Sequence, residues 1–228
     1  MQLGMLRLAM VVPVLQESAG IVAFLLALQP LRAQGHQVIV VDGGSTDNTA
    51  ELAAPLCDRL LRAQSGRASQ MNAGAARCDA DVLVFLHADT QLPATAVVDV
   101  QRAIQAGALW GRFDVRIIGH SLWLPVVAHF MNARSRLSGI ATGDQAMFVR
   151  RDTFESLGGF AVLPLMEDIE LSARLRRLAR PACLTSRVQT SGRRWDVRGP
   201  WRTIFLMWRL RWRYWRGESA ASLARAYR

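Results

Sequence analysis

Short apolar runs alternate with helical patterns through the first half of the chain. Leu8–Val14 is a continuous apolar run typical of a buried strand, and Ser18–Arg32 repeats apolar positions at helical spacing behind a Ser cap. Because strands that read as continuous apolar runs are buried on both faces, this alternation predicts an α/β fold with a mostly parallel sheet. Further strands are predicted at Val38–Asp42, Arg59–Ala63 and Val82–Leu86, and further helices at Thr49–Leu56, Ala68–Cys78 and Pro93–Ala106.

The second half of the chain is less regular. We predict strands near Trp110–Val115 and Gln145–Val149 and helices near Leu122–Leu137 and Asp168–Leu178. A length of 228 residues suits one sizeable domain rather than two. We therefore expect one α/β domain over residues 1–198 and a basic amphipathic tail over residues 199–228.

Composition narrows the class of protein. Hydrophobic residues make up 51% of the chain, yet no run approaches the ~18 apolar residues of a transmembrane helix. The apolar opening lacks a small-residue cleavage site and runs directly into strand-like sequence, so we expect no signal peptide and a cytoplasmic location. Cys57, Cys78 and Cys183 have neither disulfide-framework nor zinc-site spacing.

The positive charge comes from arginine alone. The net charge is +10, and all 28 basic residues are arginine. The planar guanidinium pairs bidentately with phosphate and carboxylate groups. Arginines are dense from Arg174 onward while acids become rare, which predicts an anionic partner for this part of the chain.

The tail over residues 201–216 has the pattern of an interfacial helix. Its tryptophan side is bordered by Arg202, Arg209, Arg213 and Arg216, with Arg211 on the other flank. Such helices bind anionic bilayers, although the same face could instead pack on the protein's own core. Because the opposite side is apolar too, one side could dock while the other meets lipid, and Ser121–Met131 could extend the surface. The tryptophan side comprises Trp201, Ile204, Phe205, Trp208, Trp212 and Trp215.

Polar clusters follow the predicted strands, at the edge where parallel sheets bind ligands. Pro13 to Glu17 follows the first strand, and Asp42 to Thr49 follows the second, where glycines permit a tight turn and Ser45, Thr46 or Asp47 can cap the next helix. Arg67, after a glycine, begins a helix in a way that suits a diphosphate. The G-x-G-x-x-G pattern is absent, which disfavours a nicotinamide or flavin enzyme.

The fourth cluster holds His87 and Asp89 at the end of a very apolar strand. Residues two apart on a strand point the same way, so an imidazole and a carboxylate, completed by phosphate oxygens and water, predict a Mg²⁺ or Mn²⁺ site. Further acids occur in Gly143-Asp144-Gln145 and in Glu167-Asp168-Ile169-Glu170. The latter open a helix, where acids are also ordinary partners of the helix dipole.

This ordered series resembles the family 2 glycosyltransferases of GT-A fold. The matching segments lie in order between Met10 and Arg177, and each is loose on its own. The variant HADT and the segment TSGRRWDVRGPWRT are similar to a small bacterial subgroup associated with radical-SAM and selenodomain proteins or with 4,4'-diaponeurosporenoate glycosylation. The segments are VVPVLQE, VVDGGSTDNT, GRASQMNAGA, FLHADT, GDQAMFVRR with LGGF, and MEDIEL.

The resemblance implies a nucleoside diphosphate sugar as donor, lying across the first four strand ends. Asp42 would lie near the base or ribose, and Asp89 would hold the Mg²⁺ or Mn²⁺ ion on the diphosphate. Asp168, beside Glu167, would deprotonate the acceptor hydroxyl or bind an acceptor carboxylic acid. The other donor contacts would be Pro13, Glu17, Gly44, Arg67, Asn72 and His87, and the acceptor contacts Gly143, Asp144, Arg194 and Trp195.

The chain departs from the family pattern at three places. Asp42-Gly43 replaces a usual Asp-Asp pair, His87-Ala88-Asp89 replaces the usual Asp-x-Asp, and the Q-x-x-R-W motif of processive synthases is not reproduced. We therefore predict an inverting, non-processive enzyme with a lipid-like acceptor at the inner face of a membrane. Two alternatives remain open: a catalytically silent sugar-nucleotide or lipid-binding homologue, and a basic nucleic-acid-binding protein, which the acids at the strand ends disfavour.

Overall fold

A computed structural model describes residues 6–227, without the side chains of residues 194, 198 and 200. The sheet of the described chain has eight strands in the order β3-β2-β1-β4-β7-β6-β8-β5. Strands β3, β2, β1 and β4 are mutually parallel, whereas β7 runs antiparallel to both β4 and β6. The strands are β1 (Leu8–Val14), β2 (Gln37–Asp42), β3 (Arg59–Arg62), β4 (Val82–Phe85), β5 (Thr90–Gln91), β6 (Trp110–Ile118), β7 (Phe148–Arg150) and β8 (Ala182–Ser191).

Helices cover both faces of this sheet, as the apolar strands predict. Alternate residues of β1 point to opposite faces, so Met10 packs in one core layer and Val11 in the other. Helices α1, α4 and α5 cover the first face, and α3, α6 and α7 cover the second. The helices are α1 (Ile21–Ala33), α2 (Thr49–Ala53), α3 (Arg67–Ala75), α4 (Ala96–Gln105), α5 (Leu124–Ser138), α6 (Arg151–Ser156), α7 (Glu167–Leu178), α8 (Arg193–Arg198), α9 (Pro200–Trp215) and α10 (Ala220–Tyr227).

The start of α1 differs from the sequence-based prediction. The helix begins at Ile21 behind Gly20 and has no side-chain cap, so Ser18 does not cap it. The backbone N–H of Ser18 instead donates to Asp47 Oδ2 at 3.2 Å, which holds Ser18 in the loop after β1. Asp47 also accepts the N–H of Thr49 at the start of α2. The loops after β1 and β2 are therefore tied to each other.

Helix α9 docks on the domain through its Leu206, Leu210 and Tyr214 side. Leu210 is fully buried and forms a small core with Met166, just before α7, and Leu223 of α10. The opposite side of α9 stays exposed, except that Ile204, expected there, packs against the main core. No helix among residues 6–227 is long and apolar enough to cross a bilayer.

Candidate active site

The loop after β2 is built around two buried side chains. Asp42, at the end of the strand, has no exposed surface, and its carboxylate accepts the N–H groups of Gly44 and Ser45 at 3.1–3.2 Å. Gln70 of α3 donates from Nε2 to the carbonyls of Val14 and Val41, at 2.9 and 2.8 Å. Asp42 thus shapes the loop, and its predicted contact with a base or ribose stays a prediction.

Gly43 is explained by the position of Gln70. A Cβ atom at position 43 would lie 3.0 Å from the Gln70 amide, closer than normal van der Waals contact. The second acid common in the family pattern cannot be placed here unless Gln70 moves. Gly44 has φ +94°, a conformation that glycine adopts without strain.

Acidic and basic side chains meet beside the loop after β1. Burial raises the pKa of Glu17, and the negative charge of Asp89 raises it further. The positive charges of Arg193 and Arg67 act on the same carboxyl in the opposite direction. The carboxyl of Glu17, from the loop after β1, is therefore within the electrostatic influence of Asp89, from beyond β4, and of two arginines.

His87 and Asp89 have different neighbours in the structure, whereas the sequence pattern placed both side chains on one side. Strand β4 ends at Phe85, so the two-residue periodicity no longer holds at either position. The His87 ring packs over Gly143, with Nδ1 3.6 Å from Asp144 Oδ1, while Asp89 is exposed near Glu17. No group of three or more His, Cys, Asp or Glu side chains among residues 6–227 is arranged to hold a metal ion.

Two further predicted donor contacts have structural partners. The Asn72 amide donates to the carbonyl of Phe160 at 2.8 Å and accepts the N–H of the same residue at 2.9 Å. The Asn72 amide thereby helps to hold the loop after α6, and its assignment as a donor contact stays a prediction. Pro13 lies within β1 opposite Val41, at the donor edge of the sheet. Arg67, the first residue of α3, is exposed, and within residues 6–227 its side chain makes no hydrogen bond or ion pair.

Helix α7 brings the predicted catalytic pair to the cleft. The N–H of Gly143 donates to Asp168 Oδ2 at 2.8 Å, which ties the helix to the 3₁₀ turn at Gly143–Gln145. Burial raises the pKa of Glu167, and the neighbouring Asp168 adds to this effect. Residues from three separate motifs therefore surround one small cavity, which is lined by His87, Gly143, Glu167 and Asp168 together with Met71, Phe85, Met147 and Phe160.

Strained backbone occurs next to this cavity. The non-glycine residues of the described chain with positive φ are Gln16, Ala146 and Met166, at +56°, +45° and +70°. Gln16 precedes Glu17, Ala146 follows the turn that holds Asp144, and Met166 precedes Glu167. Such conformations cost on the order of 1–3 kcal/mol each and cluster at functional sites, so their positions support the assignment of this edge as the site.

The predicted acceptor contacts have different environments. Asp144 and Gly143 lie at the cavity beside His87. Trp195 of α8 is half-buried and packs against the main core, and its role as an acceptor contact stays a prediction. The Arg194 side chain lies outside the described residues.

Four residues near the site were not predicted from the sequence. Gln70 and Arg193 lie on the donor side, and Arg134 of α5 and Arg211 of α9 lie near Asp168. Arg211 lies between the tryptophan side and the apolar docking side of its helix, apart from the arginines on the other flank, and this isolated position is a signal that could have revealed it. Gln70 had no comparable signal, because its role depends on strand ends that are distant in the chain.

The fold and this acidic cleft define a class of protein, the GT-A-type α/β glycosyltransferases. The Glycosyl transferase family 2 model matches residues 10–158, which is more than half of the chain. The chain therefore belongs to glycosyl transferase family 2.

Known proteins are similar to this chain at low sequence identity. A beta-monoglucosyldiacylglycerol synthase from Nostoc sp. is 23% identical over 193 residues, and the match spans 73% of this chain but only 41% of that protein. The crystal structure of residues 1–349 of TarS from S. aureus has a TM-score of 0.65 at 15% identity, covering 82% of this chain and 60% of that one. A mannosyltransferase from Pyrobaculum calidifontis, in complex with GDP-Man and Mn²⁺, has a TM-score of 0.63 at 19% identity, covering 81% and 56%. These likenesses confirm the fold.

Proposed function

We propose that the protein transfers a sugar from a nucleoside diphosphate sugar to a hydroxyl or carboxyl group of an acceptor, with inversion and one sugar at a time. The observation that supports this most directly is the cavity where His87, Gly143 and Asp168 meet. These residues come from three distant segments, and an acid at the rim of a nucleotide-binding sheet is suited to act as a general base. The matched solved structures include complexes with UDP-GlcNAc and with GDP-Man.

The donor would lie over the loops after β1, β2 and β4. Gln70 and Asp42 fix two of these loops, and Arg67 at the start of α3 would face the diphosphate. Glu17 and Asp89 provide two neighbouring carboxylates, and a divalent ion there would complete its coordination with diphosphate oxygens and water. Bound there, Mg²⁺ or Mn²⁺ would neutralise charge on the departing diphosphate.

Asp168 would act on the acceptor side. Its Oδ2 is fixed by the Gly143 N–H at 2.8 Å, which orients the carboxylate towards the cavity. The acceptor oxygen attacks the anomeric carbon, the bond from that carbon to the diphosphate breaks with its electrons, and Asp168 takes the acceptor proton. Glu167, buried and with a raised pKa, would support the start of α7.

We further propose that the enzyme works as a peripheral protein on an anionic membrane surface. We define the Trp face as Trp201, Phe205, Trp208, Trp212 and Trp215 of α9, which are 53–81% exposed. Trp123, just before α5, packs edge-on against Trp201, with 4.9 Å between the ring centroids. This contact brings the exposed Leu122 and Phe130 to the same surface. Exposed Arg202, Arg209 and Arg216 border it, which suits anionic headgroups. We propose accordingly that residues 1–198 carry the donor site and residues 199–228 provide membrane contact.

A thermal-shift screen with UDP-, GDP- and dTDP-sugars, with and without Mn²⁺, tests the donor proposal. Binding of a true donor stabilises the folded state by RT ln(1 + [L]/Kd), so Tm rises with the donor concentration. We expect Asp89→Ala to lose the Mn²⁺-dependent part of the shift while its own Tm stays unchanged, because Asp89 is exposed. Asp99→Ala removes a half-buried acid of α4 outside the site and serves as the control. An unchanged Mn²⁺ effect in Asp89→Ala would rule out the metal assignment, and donor binding without turnover would favour a silent homologue.

A further inference from the structure

Arg134 lies on a part of α5 that is firmly attached to the sheet. The Asn132 side chain exchanges hydrogen bonds with the backbone of Val115 in β6, at 2.9 and 3.0 Å. Arg136 donates to Asp114 of the same strand at 2.6 Å. Arg134 therefore lies between two anchored neighbours, and its backbone has little freedom to move.

One end of the Arg134 guanidinium is buried without a hydrogen-bond partner. Its Nη2 atom has no hydrogen-bond acceptor, and its side chain makes no hydrogen bond or ion pair with any described residue. The charges that act on it are those of Arg211, Asp168 and Arg112. Burial and the two neighbouring arginines lower the pKa of Arg134 to about 10.

Arg211 approaches the same place from α9. It follows the fully buried Leu210, which packs on Met166 directly before α7. Burial lowers the pKa of Arg211, and the negative charges of Asp168 and Asp144 oppose that shift. Within residues 6–227 no hydrogen bond or ion pair reaches its side chain. The charge of Arg211 acts on Arg134 and that of Asp168 acts on both, so the two arginines share one electrostatic environment and neither has an acceptor.

Other interior arginines of the chain are paired. Arg112, fully buried, forms an ion pair with Asp114, and Arg174 forms one with Glu170 at 2.6 Å. A buried charge without a partner is costly, and two like charges together are more so. Asp168 does not neutralise them at ion-pair distance, and one of its oxygens is occupied by the Gly143 N–H. The arrangement lacks an anion.

We infer that Arg134 and Arg211 form a binding site for an oxyanion of the acceptor, a carboxylate or a phosphate group, next to Asp168. The inference rests on the proposed function and narrows it, because the acceptor is then an acid. Two guanidinium groups can bind such a group through several charge-assisted hydrogen bonds. The acidic group would hold the acceptor with its reacting oxygen towards Asp168, and α9 would contribute both to this site and to the Trp face.

Titration with inorganic phosphate tests the site without knowledge of the acceptor. Phosphate is added to the protein saturated with Mn²⁺ and the nucleoside diphosphate that the screen selects, and the affinity is measured by calorimetry at constant ionic strength. We expect Arg134→Gln and Arg211→Gln each to weaken phosphate binding at least tenfold. Arg209→Gln removes an exposed charge from the same helix and should leave the affinity unchanged. Parallel titration with acetate shows whether the site prefers phosphate or carboxylate.

Two outcomes would overturn the inference. If the arginine variants lose nucleoside diphosphate affinity, these side chains hold the donor instead. If the arginine variants have a lower Tm but bind phosphate normally, the arginines are structural. If the arginines form an anion site, replacing one of them removes the repulsion between the two guanidinium groups, so the Tm measured without phosphate should stay unchanged or rise. If no nucleotide binds the wild type, the proposed function fails, and the phosphate titration without nucleotide still tests the arginine site separately.

Discussion

Gly43 and Gln70 are complementary to each other at the end of β2. The Gln70 amide occupies the space that a side chain at position 43 would need and bonds two strand-end carbonyls. A sequence with Asp-Gly-Gly-Ser in place of Asp-Asp-Gly-Ser therefore reflects local packing as well as any change in nucleotide contact. Neither residue could be linked to the other from the sequence, since they lie on separate elements.

Gly43→Asp is expected to displace Gln70 and break both of its buried hydrogen bonds. At about 1 kcal/mol for each bond, we expect the free energy of unfolding to fall by about 2 kcal/mol. Urea denaturation measures the change. Gly20→Asp places the same side chain in open space before α1 and should cost nothing. If Gly43→Asp is as stable as wild type, Gln70 does not constrain this position.

Asp168→Asn tests the catalytic assignment. Asn keeps the size of the side chain and can still accept the Gly143 N–H, so nucleotide affinity should stay near normal. Transfer should fall by about 10²–10⁴-fold, the range for loss of a general base. Single-turnover transfer with the donor from the screen measures it.

Glu167→Gln is the matched control for that variant. Glu167 is buried and has a raised pKa, and its amide replacement keeps the shape of the helix start. We expect a milder loss than in Asp168→Asn. Equal and small losses in both variants would move the base elsewhere, with Asp144 as the next candidate.

At the scale of elements, α9 has two distinct sides. Leu206 and Leu210 pack on the domain, while the Trp face is exposed. The sequence pattern predicted both an apolar docking side and an exposed tryptophan side, but it placed Ile204 among the exposed residues. The periodicity of the sequence predicts which residues share a face of a helix, but tertiary packing decides what each face contacts.

Replacement of Trp208 and Trp212 by Ser tests the membrane contact. Both rings are exposed, at 68% and 57%, so Tm and nucleotide affinity should not change. Wild type should sediment with anionic vesicles and be released by salt, because each arginine near such a surface contributes about 1 kcal/mol of screened attraction. The double variant should bind vesicles much more weakly. The membrane proposal would be contradicted if the wild type did not bind anionic vesicles or if the double variant unfolded.

The predicted strands were most accurate where the chain is continuously apolar. The prediction for β1 matches the structure, and that for β2 is one residue short. Strand β8 was missed because it has no continuous apolar run. Its Thr185, Arg187 and Gln189 alternate with less polar residues, and the strand is half-exposed at the far side of the sheet. Its partner β6 was predicted too short, since its pairing with β8 continues to Ile118. Such pairing depends on residues that are distant in sequence.

At the scale of the whole molecule, the order of the motifs predicted the fold. His87, Gly143 and Asp168 line one cavity, and the roles assigned to them stay predictions. The sequence could not show that His87 lies beside Gly143, because β4 ends at Phe85 and the strand periodicity ends with it. It could not place Arg134 beside Arg211 either, because α5 and α9 meet only through tertiary packing.

The packing of α9 and α10 on Met166 sets an order of events during synthesis. The loops after β1, β2 and β4 are complete once the first half of the chain has emerged, since proteins are made from the N-terminus. Leu210 and Leu223, which cover Met166 in its positive-φ conformation, are among the last residues described. A nascent chain is therefore expected to gain nucleotide affinity before residues 210–223 have emerged from the ribosome, and to hold Asp168 in its working position only after they have.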